Sequence, residues 1–272
     1  LKINHEEKKI KKLLINEGFY ETVNNPFVKE SSKESVEVDN PLDSNKKYLR
    51  TNLKNSLLDN LLFNERRQQD SVKFFEIADI YSNKDRMGKR VIGIIASGRI
   101  DNNYLDFAKK INNNYLEQIL TKLNSNKYEI ENISRQSLES KSKNPIIYCE
   151  IEIDSSFEVN FSYDDLSIQD ISNKKYFPIS EFPSSKRDLS FSIKDFSKCK
   201  ILEEFILNFE NNLLKDVFVF DYFKNKKMKE IKIGFRFIFQ SKDSTITDKE
   251  VDGVMNIIIN KALEHDSVSI PG

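Results

Sequence analysis

The sequence predicts an α+β chain of two modules, an antiparallel sheet module over 1–170 followed by a compact β-α-β-β-α-β module over 174–272. Three observations predict it. Apolar residues recur at two-residue spacing in some runs and at helical spacing in others, the marks of half-buried strands and amphipathic helices. In the C-terminal region those runs fall in the order strand, helix, strand, strand, helix, strand. A chain of 272 residues is also long enough for two separate cores.

The first module opens with a helix over 6–16, apolar at Ile10, Leu13 and Leu14 and stopped by Gly18. Phe19 to Val28 is a short segment ending at Pro26-Phe27, and the polar stretch Lys29 to Glu37 reads as a loop. A helix then carries Leu49, Leu53, Leu57, Leu58, Leu61 and Leu62. Two strands, Val72 to Tyr81 and Arg90 to Ser97, are joined by a turn around Asp85 to Gly88. Leu105, Ala108, Ile111, Tyr115, Ile119 and Leu123 stand at helical spacing. Residues 124–145 are polar and promise no strong element, Ile146 to Ile153 reads as a strand, and the domain boundary is placed between Asp154 and Lys175.

In the second module Leu189, Phe191 and Ile193 alternate with serines, and Ile201, Leu202, Phe205, Ile206, Phe209 and Leu213 form a helical stripe. Val217 to Tyr222 is a second strand, and Ile231 to Gln240 a third with strict alternation. Thr247 and Glu250 form a capping box that satisfies the first amides of a last helix lined by Val251, Val254, Met255, Ile258 and Leu263. Ser267 to Ile270 supplies a fourth strand. Two helices on one face of such a sheet leave the other open, and an open sheet face is a common seat for RNA.

Composition narrows the function. Forty-three basic residues balance 43 acidic ones, so RNA binding has to come from local patches rather than an overall field. Cys149 and Cys199 form no pair motif, and two histidines cannot build a zinc site, which fits a reducing, cytoplasmic setting without a structural metal. No apolar run reaches membrane-spanning length, and Leu1 in place of methionine reads as a fragment boundary. No P-loop or dinucleotide fingerprint occurs.

Several short signatures then fall in one order: Phe177-Pro178, Phe182-Pro183, Lys186-Arg187-Asp188-Leu189-Ser190-Phe191, Phe220-Asp221-Tyr222, the strand Ile231 to Gln240, and Thr245 to Val251. Together they resemble the ferredoxin-fold anticodon-binding domain of the bacterial phenylalanyl-tRNA synthetase β-subunit family. Upstream, Asn40-Pro41-Leu42, Leu49 to Leu53, Asn64 and Phe75-Glu76-Ile77 are similar to that family's class II synthetase-like, non-catalytic module. Glu17 to Glu21 and Pro26-Phe27 resemble its entry, a degenerate form of the first class II motif. Two departures stand out. Residues 124–145 lack the family's His-Pro-Gly run and Gly-x-x-Gly pattern, and the chain ends Ile270-Pro271-Gly272 where the family ends Leu-Arg-Gly.

The resemblance implies an α subunit of phenylalanyl-tRNA synthetase and tRNA(Phe) as partners, an α2β2 heterotetramer in the cytoplasm, and no editing function in this stretch. It implies ATP and Mg2+ for the holoenzyme but no cofactor on this chain. The residues agree, since adenylate formation needs arginines and metal-holding carboxylates around the phosphates. Here the strand reads Phe74-Phe75-Glu76, with no arginine two places before the glutamate, and Gly93 and Gly98 are isolated. Candidate tRNA contacts are Arg187, Arg236, Lys232, Gln240, Lys227 and Lys229; candidate subunit-interface residues are Pro26, Phe27, Arg50, Leu53 and Leu57. Phe235 and Phe237 come close to the aromatic strand of RNA-recognition domains but share a face with Ile231, Ile233 and Phe239, which assigns them to the core. Asp188 and Asp221 are expected to hold turns or strand ends. Two other readings remain, a small complete enzyme and a stand-alone RNA-recognition module without a synthetase partner.

Overall fold

The computed structural model describes residues 2–29, 32–41, 43, 45–123, 128–138, 140–153, 179–225 and 227–271. The expected boundary between Asp154 and Lys175, with Phe177-Pro178, lies outside the described residues. The chain divides into two compact units, Leu1–Gly98 with Lys110–Asp170, and Arg99–Lys109 with Ile171–Gly272. Arg99–Lys109, which the sequence assigns to the first module, belongs to the second unit.

Unit 1 begins with helix α1 (Lys2–Asn16), which ends where Gly18 takes a positive φ of 81° and the chain turns into β1 (Tyr20–Glu21). A two-stranded pair, β2 (Phe27–Val28) and β3 (Tyr48–Leu49), precedes α2 (Lys54–Arg66). Leu49, expected in the helix, therefore lies in a strand. The long hairpin β4 (Ser71–Ser82) and β5 (Asp85–Gly98) follows, then α3 (Asn113–Lys122), β6 (Ile130–Ile133) and β7 (Ile146–Glu152). The five-stranded sheet runs β1-β4-β5-β7-β6, antiparallel except for the β1–β4 pair. Residues 124–145 thus hold an edge strand that their polarity concealed.

The sheet is apolar on both faces, and each face meets helices. Val72, Val91, Ile95, Ile146 and Tyr148 pack with Leu53, Leu57, Leu61 and Leu62 of α2. Gly93 makes this approach possible: a Cβ there would sit 2.9 Å from Leu53 Cβ and 2.9 Å from Leu57 Cδ1. On the other face Phe75, Ile92, Ile94, Ile147, Cys149 and Ile151 are buried. The Glu7 carboxylate of α1 accepts from Arg90 Nε at 2.7 Å there, and the Lys73 ammonium lies 5.2 Å from the Tyr115 ring of α3.

Helix α2 lacks a side-chain cap of its own at Leu53, and β7 supplies one. Glu150 Oε2 accepts from Leu53 N–H at 2.8 Å and from the Tyr148 hydroxyl at 2.6 Å, placing a carboxylate at the helix's positive end. Burial first, then the charge of Glu150, push the Tyr148 hydroxyl pKa well above its ordinary value.

Unit 2 follows the expected order. Strand β8 (Ser185–Ile193), α4 (Phe196–Leu207), β9 (Leu214–Asn225), β10 (Glu230–Phe239), α5 (Asp248–Leu263) and β11 (Val268–Ser269) build a four-stranded sheet in the order β11-β8-β10-β9. Phe191, Ile193, Ile231, Ile233, Phe235, Phe237 and Phe239 form one core with Leu202 and Ile206 of α4 and Val251, Val254 and Ile258 of α5. The capping box holds the start of α5, with Thr247 Oγ1 accepting from Glu250 N–H and Glu250 Oε2 accepting from Thr247 N–H.

The helix expected from Leu105 to Leu123 forms only as α3. Asn112 caps it, its side chain accepting from Tyr115 N–H at 3.0 Å, and Leu105 is exposed. Apolar spacing carried the helix reading through an Asn- and Asp-rich stretch that folds as turns instead.

Candidate nucleic-acid interface

Strand pairing sorts the second unit's residues onto two faces. Arg236 lies opposite Asp188 on β8 and Phe218 on β9, so the three share the face away from the helices; Phe237, its neighbour, pairs with Arg187 and Val217 on the core face. A bulge on β9 beside Gly234 and Phe235 changes the parity of that strand. Beyond it Asp221 lies opposite Gly234 and Phe223 opposite Lys232, which puts both on the outer face. Phe223 is 56% exposed, and Lys232 is exposed beside it.

Much of that outer face is not open. The segment Arg99–Lys109 covers it, with the Phe107 ring 5.7 Å from that of Phe218 and 5.4 Å from that of Phe220. Two guanidiniums also lie against Phe107, Arg99 at 4.0 Å and Arg236 at 4.7 Å from the ring centroid. Arg99 Nη1 donates to Phe107 O at 2.6 Å, and Asn103 Oδ1 accepts from the N–H groups of Leu105 and Asp106, which fixes the turn. Phe107 is left 7% exposed. The fully open sheet expected from the sequence is corrected accordingly: the uncovered flank is the one that carries Phe223 and Lys232.

The sequence-predicted contacts divide along these lines. Arg187 points to the helix side, where Nη2 donates to Asp248 Oδ1 at 2.6 Å and Nε lies 3.6 Å from Asp252, both on α5. Arg236 gives Nε and Nη2 to the two oxygens of Asp188 at 2.7 and 2.6 Å, a bidentate pair that leaves its side chain 16% exposed. Asp188 therefore holds an arginine rather than a turn. Gln240 is engaged at both ends of its amide, donating to Phe182 O and accepting from Lys215 Nζ, each at 2.6 Å. Lys227, Lys229 and Lys232 are exposed at the β9–β10 end of the sheet, with Lys229 held at a positive φ of 49°.

A family model for the phenylalanyl tRNA synthetase beta chain CLM domain matches residues 2–152. The chain belongs to that β-chain family. A second model, the ferredoxin-fold anticodon binding domain, matches residues 180–270, the sheet and helices just described. Relatives named phenylalanine–tRNA ligase β subunit include those of Carboxydothermus hydrogenoformans, 27% identical over 95% of this chain and 37% of theirs, and Fusobacterium nucleatum, 26% identical over 94% and 37%. The Clostridium acetobutylicum subunit is 25% identical over 93% of this chain. The chain thus spans a little over a third of the length of these β subunits. A pyrrolysyl-tRNA synthetase structure from Desulfitobacterium hafniense superposes at a TM-score of 0.40 with 14% identity over 54% of this chain and 63% of its own.

In the β-chain module the candidate interface residues also separate. Leu53 and Leu57 are wholly buried in the unit's own core, which corrects their assignment to a partner-facing surface. Arg50 is buried as well: Nη1 donates to Glu76 Oε1 at 2.8 Å and Nε to Asp79 O at 3.1 Å. Asn24 completes the group by donating its N–H and Nδ2 to Glu76 at 3.1 and 2.8 Å. Pro26 is half-buried and Phe27 is 40% exposed. Exposed apolar residues nearby in the sequence, Ile15, Tyr20 and Val23, had not been singled out. Phe223 lies past Tyr222, where the sequence reading ends the second strand; the strand in fact runs on to Asn225, and no residue type announces the bulge that turns Phe223 outward.

Proposed function

We propose that this chain is a non-catalytic region of the β subunit of phenylalanine–tRNA ligase that docks the catalytic α subunit through unit 1 and holds the anticodon arm of tRNA(Phe) on unit 2. The observation that carries this reading is the pairing of Phe223 with Lys232 on the uncovered flank of a sheet that matches the anticodon-binding family. An exposed ring takes an unpaired base by stacking, and a neighbouring ammonium takes the phosphate, which suits a loop of splayed bases. Arg236 and Arg187 brace the sheet through Asp188 and α5, so they act behind this contact rather than in it.

Catalysis, with ATP and Mg2+, falls to the α subunit in this reading. Glu76, the glutamate of the Phe74-Phe75-Glu76 strand, is committed to Arg50 and Asn24. Gly93 serves helix packing, and Gly98, at φ 104°, serves a close backbone approach in which a Cβ would lie 2.0 Å from Asp70 O. Neither glycine belongs to a phosphate cradle. Ile15, Tyr20, Val23 and Phe27 offer the apolar surface a subunit interface needs, in keeping with an α2β2 assembly. Among the described residues no helix is long and apolar enough to cross a membrane, which suits the cytoplasmic site of translation.

Filter binding of the 272-residue chain to tRNA(Phe) and to an anticodon-scrambled tRNA tests the RNA half. Native tRNA is expected to bind tighter, and Phe223→Ala to weaken its binding by roughly 1–3 kcal/mol, the range for one stacked base. Equal binding of the two tRNAs by the unaltered chain would remove anticodon reading from this domain. Co-purification with an α subunit, weakened by Phe27→Asp, tests the docking half; an unchanged yield with Phe27→Asp and Val23→Asp together would place the interface elsewhere.

A further inference from the structure

The end of the second unit's sheet, where β8 stops and β9 turns into β10, carries a basic group that the outer face does not include. Lys194, Asp195 and Phe196 at the start of α4, with Lys224 and Lys229 from the hairpin, line an open concavity of about 550 Å³. All three lysines are exposed, and none is ion-paired to a described residue. The Lys224 ammonium lies 4.5 Å from the centroid of the Phe196 ring, which is itself 38% exposed. Asp195, the one carboxylate among the described residues of the lining, is turned onto the helix start, where Oδ1 accepts from Ser197 N–H at 2.9 Å and Ser197 Oγ at 2.7 Å. The described residues of the lining therefore carry three positive charges against one negative, and that one is occupied by the helix.

We propose that this concavity binds the phosphodiester backbone of the RNA whose bases meet Phe223, an inference that rests on the function proposed above. Continuity with the outer face supports it. Strand β9 is an edge strand, and consecutive residues of a strand point to opposite faces. Phe223 faces outward and Lys224, opposite Ile231, faces inward, so a nucleic-acid strand leaving Phe223 around the edge meets Lys224 next. Lys232 lies across from Phe223 on the outer side, and Lys229 sits in the turn between the two faces. That turn is built: Asn225 Oδ1 accepts from the N–H groups of Lys227 and Met228, and it holds Lys229 in the left-handed region where glycine is the easier residue. The interleaving of lysines with Phe196 and Phe223 fits a polynucleotide, which offers both phosphate and ring, better than an acidic peptide, which offers only charge.

The test is a salt series of tRNA(Phe) binding to the whole chain and to a Lys194→Gln/Lys224→Gln/Lys229→Gln variant. Each phosphate contact contributes about 0.7 to the slope of log Kobs against log salt for a single strand, so the variant's slope should be shallower by about 2. Its preference for native over scrambled anticodon should be unchanged, because backbone contacts carry no base identity. Lys249→Gln/Lys261→Gln on α5 serves as the charge control and is expected to leave the slope alone. An unchanged slope in the triple variant overturns the proposal while leaving anticodon reading intact, as would happen if the concavity takes a peptide. A slope reduced as much per lysine in the control reduces the effect to general charge and also overturns it. Failure of the unaltered chain to bind tRNA(Phe) overturns the proposed function itself.

Discussion

Replacing Arg50 by methionine distinguishes a buried brace from a surface that waits for a partner. The Arg50 and Glu76 side chains are 6% and 2% exposed and 2.8 Å apart. Methionine keeps much of the volume but leaves Glu76 a buried carboxylate with only the two Asn24 donors. Removing one partner of a buried pair costs about 3–5 kcal/mol, and the surviving Asn24 bonds put this case near the lower end, ~3 kcal/mol. The donor bond from Arg50 Nε to Asp79 O, which ties the stretch between β3 and α2 to β4, is lost too. The double change Arg50→Met/Glu76→Gln removes the orphaned charge and should recover most of the loss, to within ~1 kcal/mol of the unaltered chain. Because the chain has two units, one global transition is a poor reporter. Hydrogen exchange of the β4 and β5 amides against urea reads the opening of unit 1 alone. A loss below ~0.5 kcal/mol in Arg50→Met, the ordinary range for surface changes, would refute the brace, and failure to capture the α subunit in the same variant would return Arg50 to the interface.

Other changes have equally definite outcomes. Gly98→Ala should abolish the soluble fold or lower its stability by at least ~3 kcal/mol, since the new Cβ would lie 2.0 Å from Asp70 O at φ 104°; a thermal midpoint near that of the unaltered chain would contradict it. At Glu65 burial pushes the carboxyl pKa up, but hydrogen bonds from Arg135, Ser140 and Ser97 and the Arg135 charge outweigh it and hold the group below its ordinary value of 4.5. The stability it contributes is complete above about pH 4.5 and is lost as pH falls through the lower folded value, so Glu65→Gln should flatten the acid limb of a thermal-midpoint profile and leave its neutral limb parallel. Burial, helped by Glu150, pushes the Cys149 thiol up to about 12. It should therefore stay unreactive toward a disulfide reagent at pH 8 until unit 1 opens, with labelling following urea. Arg187→Ala is expected to loosen α5 and leave anticodon preference unchanged, as read by the same filter-binding pair of tRNAs.

What was legible in the sequence was periodicity sustained over a full element. Phe235, Phe237 and Phe239 alternate without interruption, and all three lie in the core as their spacing required. Thr247 and Glu250 stand three apart before an apolar run, and they cap α5 reciprocally. What was not legible depended on contacts distant in sequence. Glu150 caps α2 from 97 residues away. Phe107 is buried because it meets Phe218 and Phe220, whereas Leu105, equally apolar, is exposed. A bulge at β9 turns Phe223 outward, though local alternation would bury it. The candidate site suffered more than the fold for this reason: residue type nominated Arg187, Arg236 and Gln240, but their partners Asp248, Asp188 and Phe182 decide what they are free to touch.

The most direct test of anticodon binding at the hairpin end of the sheet is a hydrogen-exchange footprint of the whole chain with and without tRNA(Phe). Unit 2 includes Arg99–Lys109, so a fragment starting at the second domain would lack part of it. Added tRNA is predicted to slow exchange at Tyr222 to Lys224, Lys229 to Gly234 and Lys194 to Phe196, and to leave the amides around Phe107 and Arg236 as they were. Protection centred on Phe107, Phe218 and Arg236, or none in unit 2, would contradict the account.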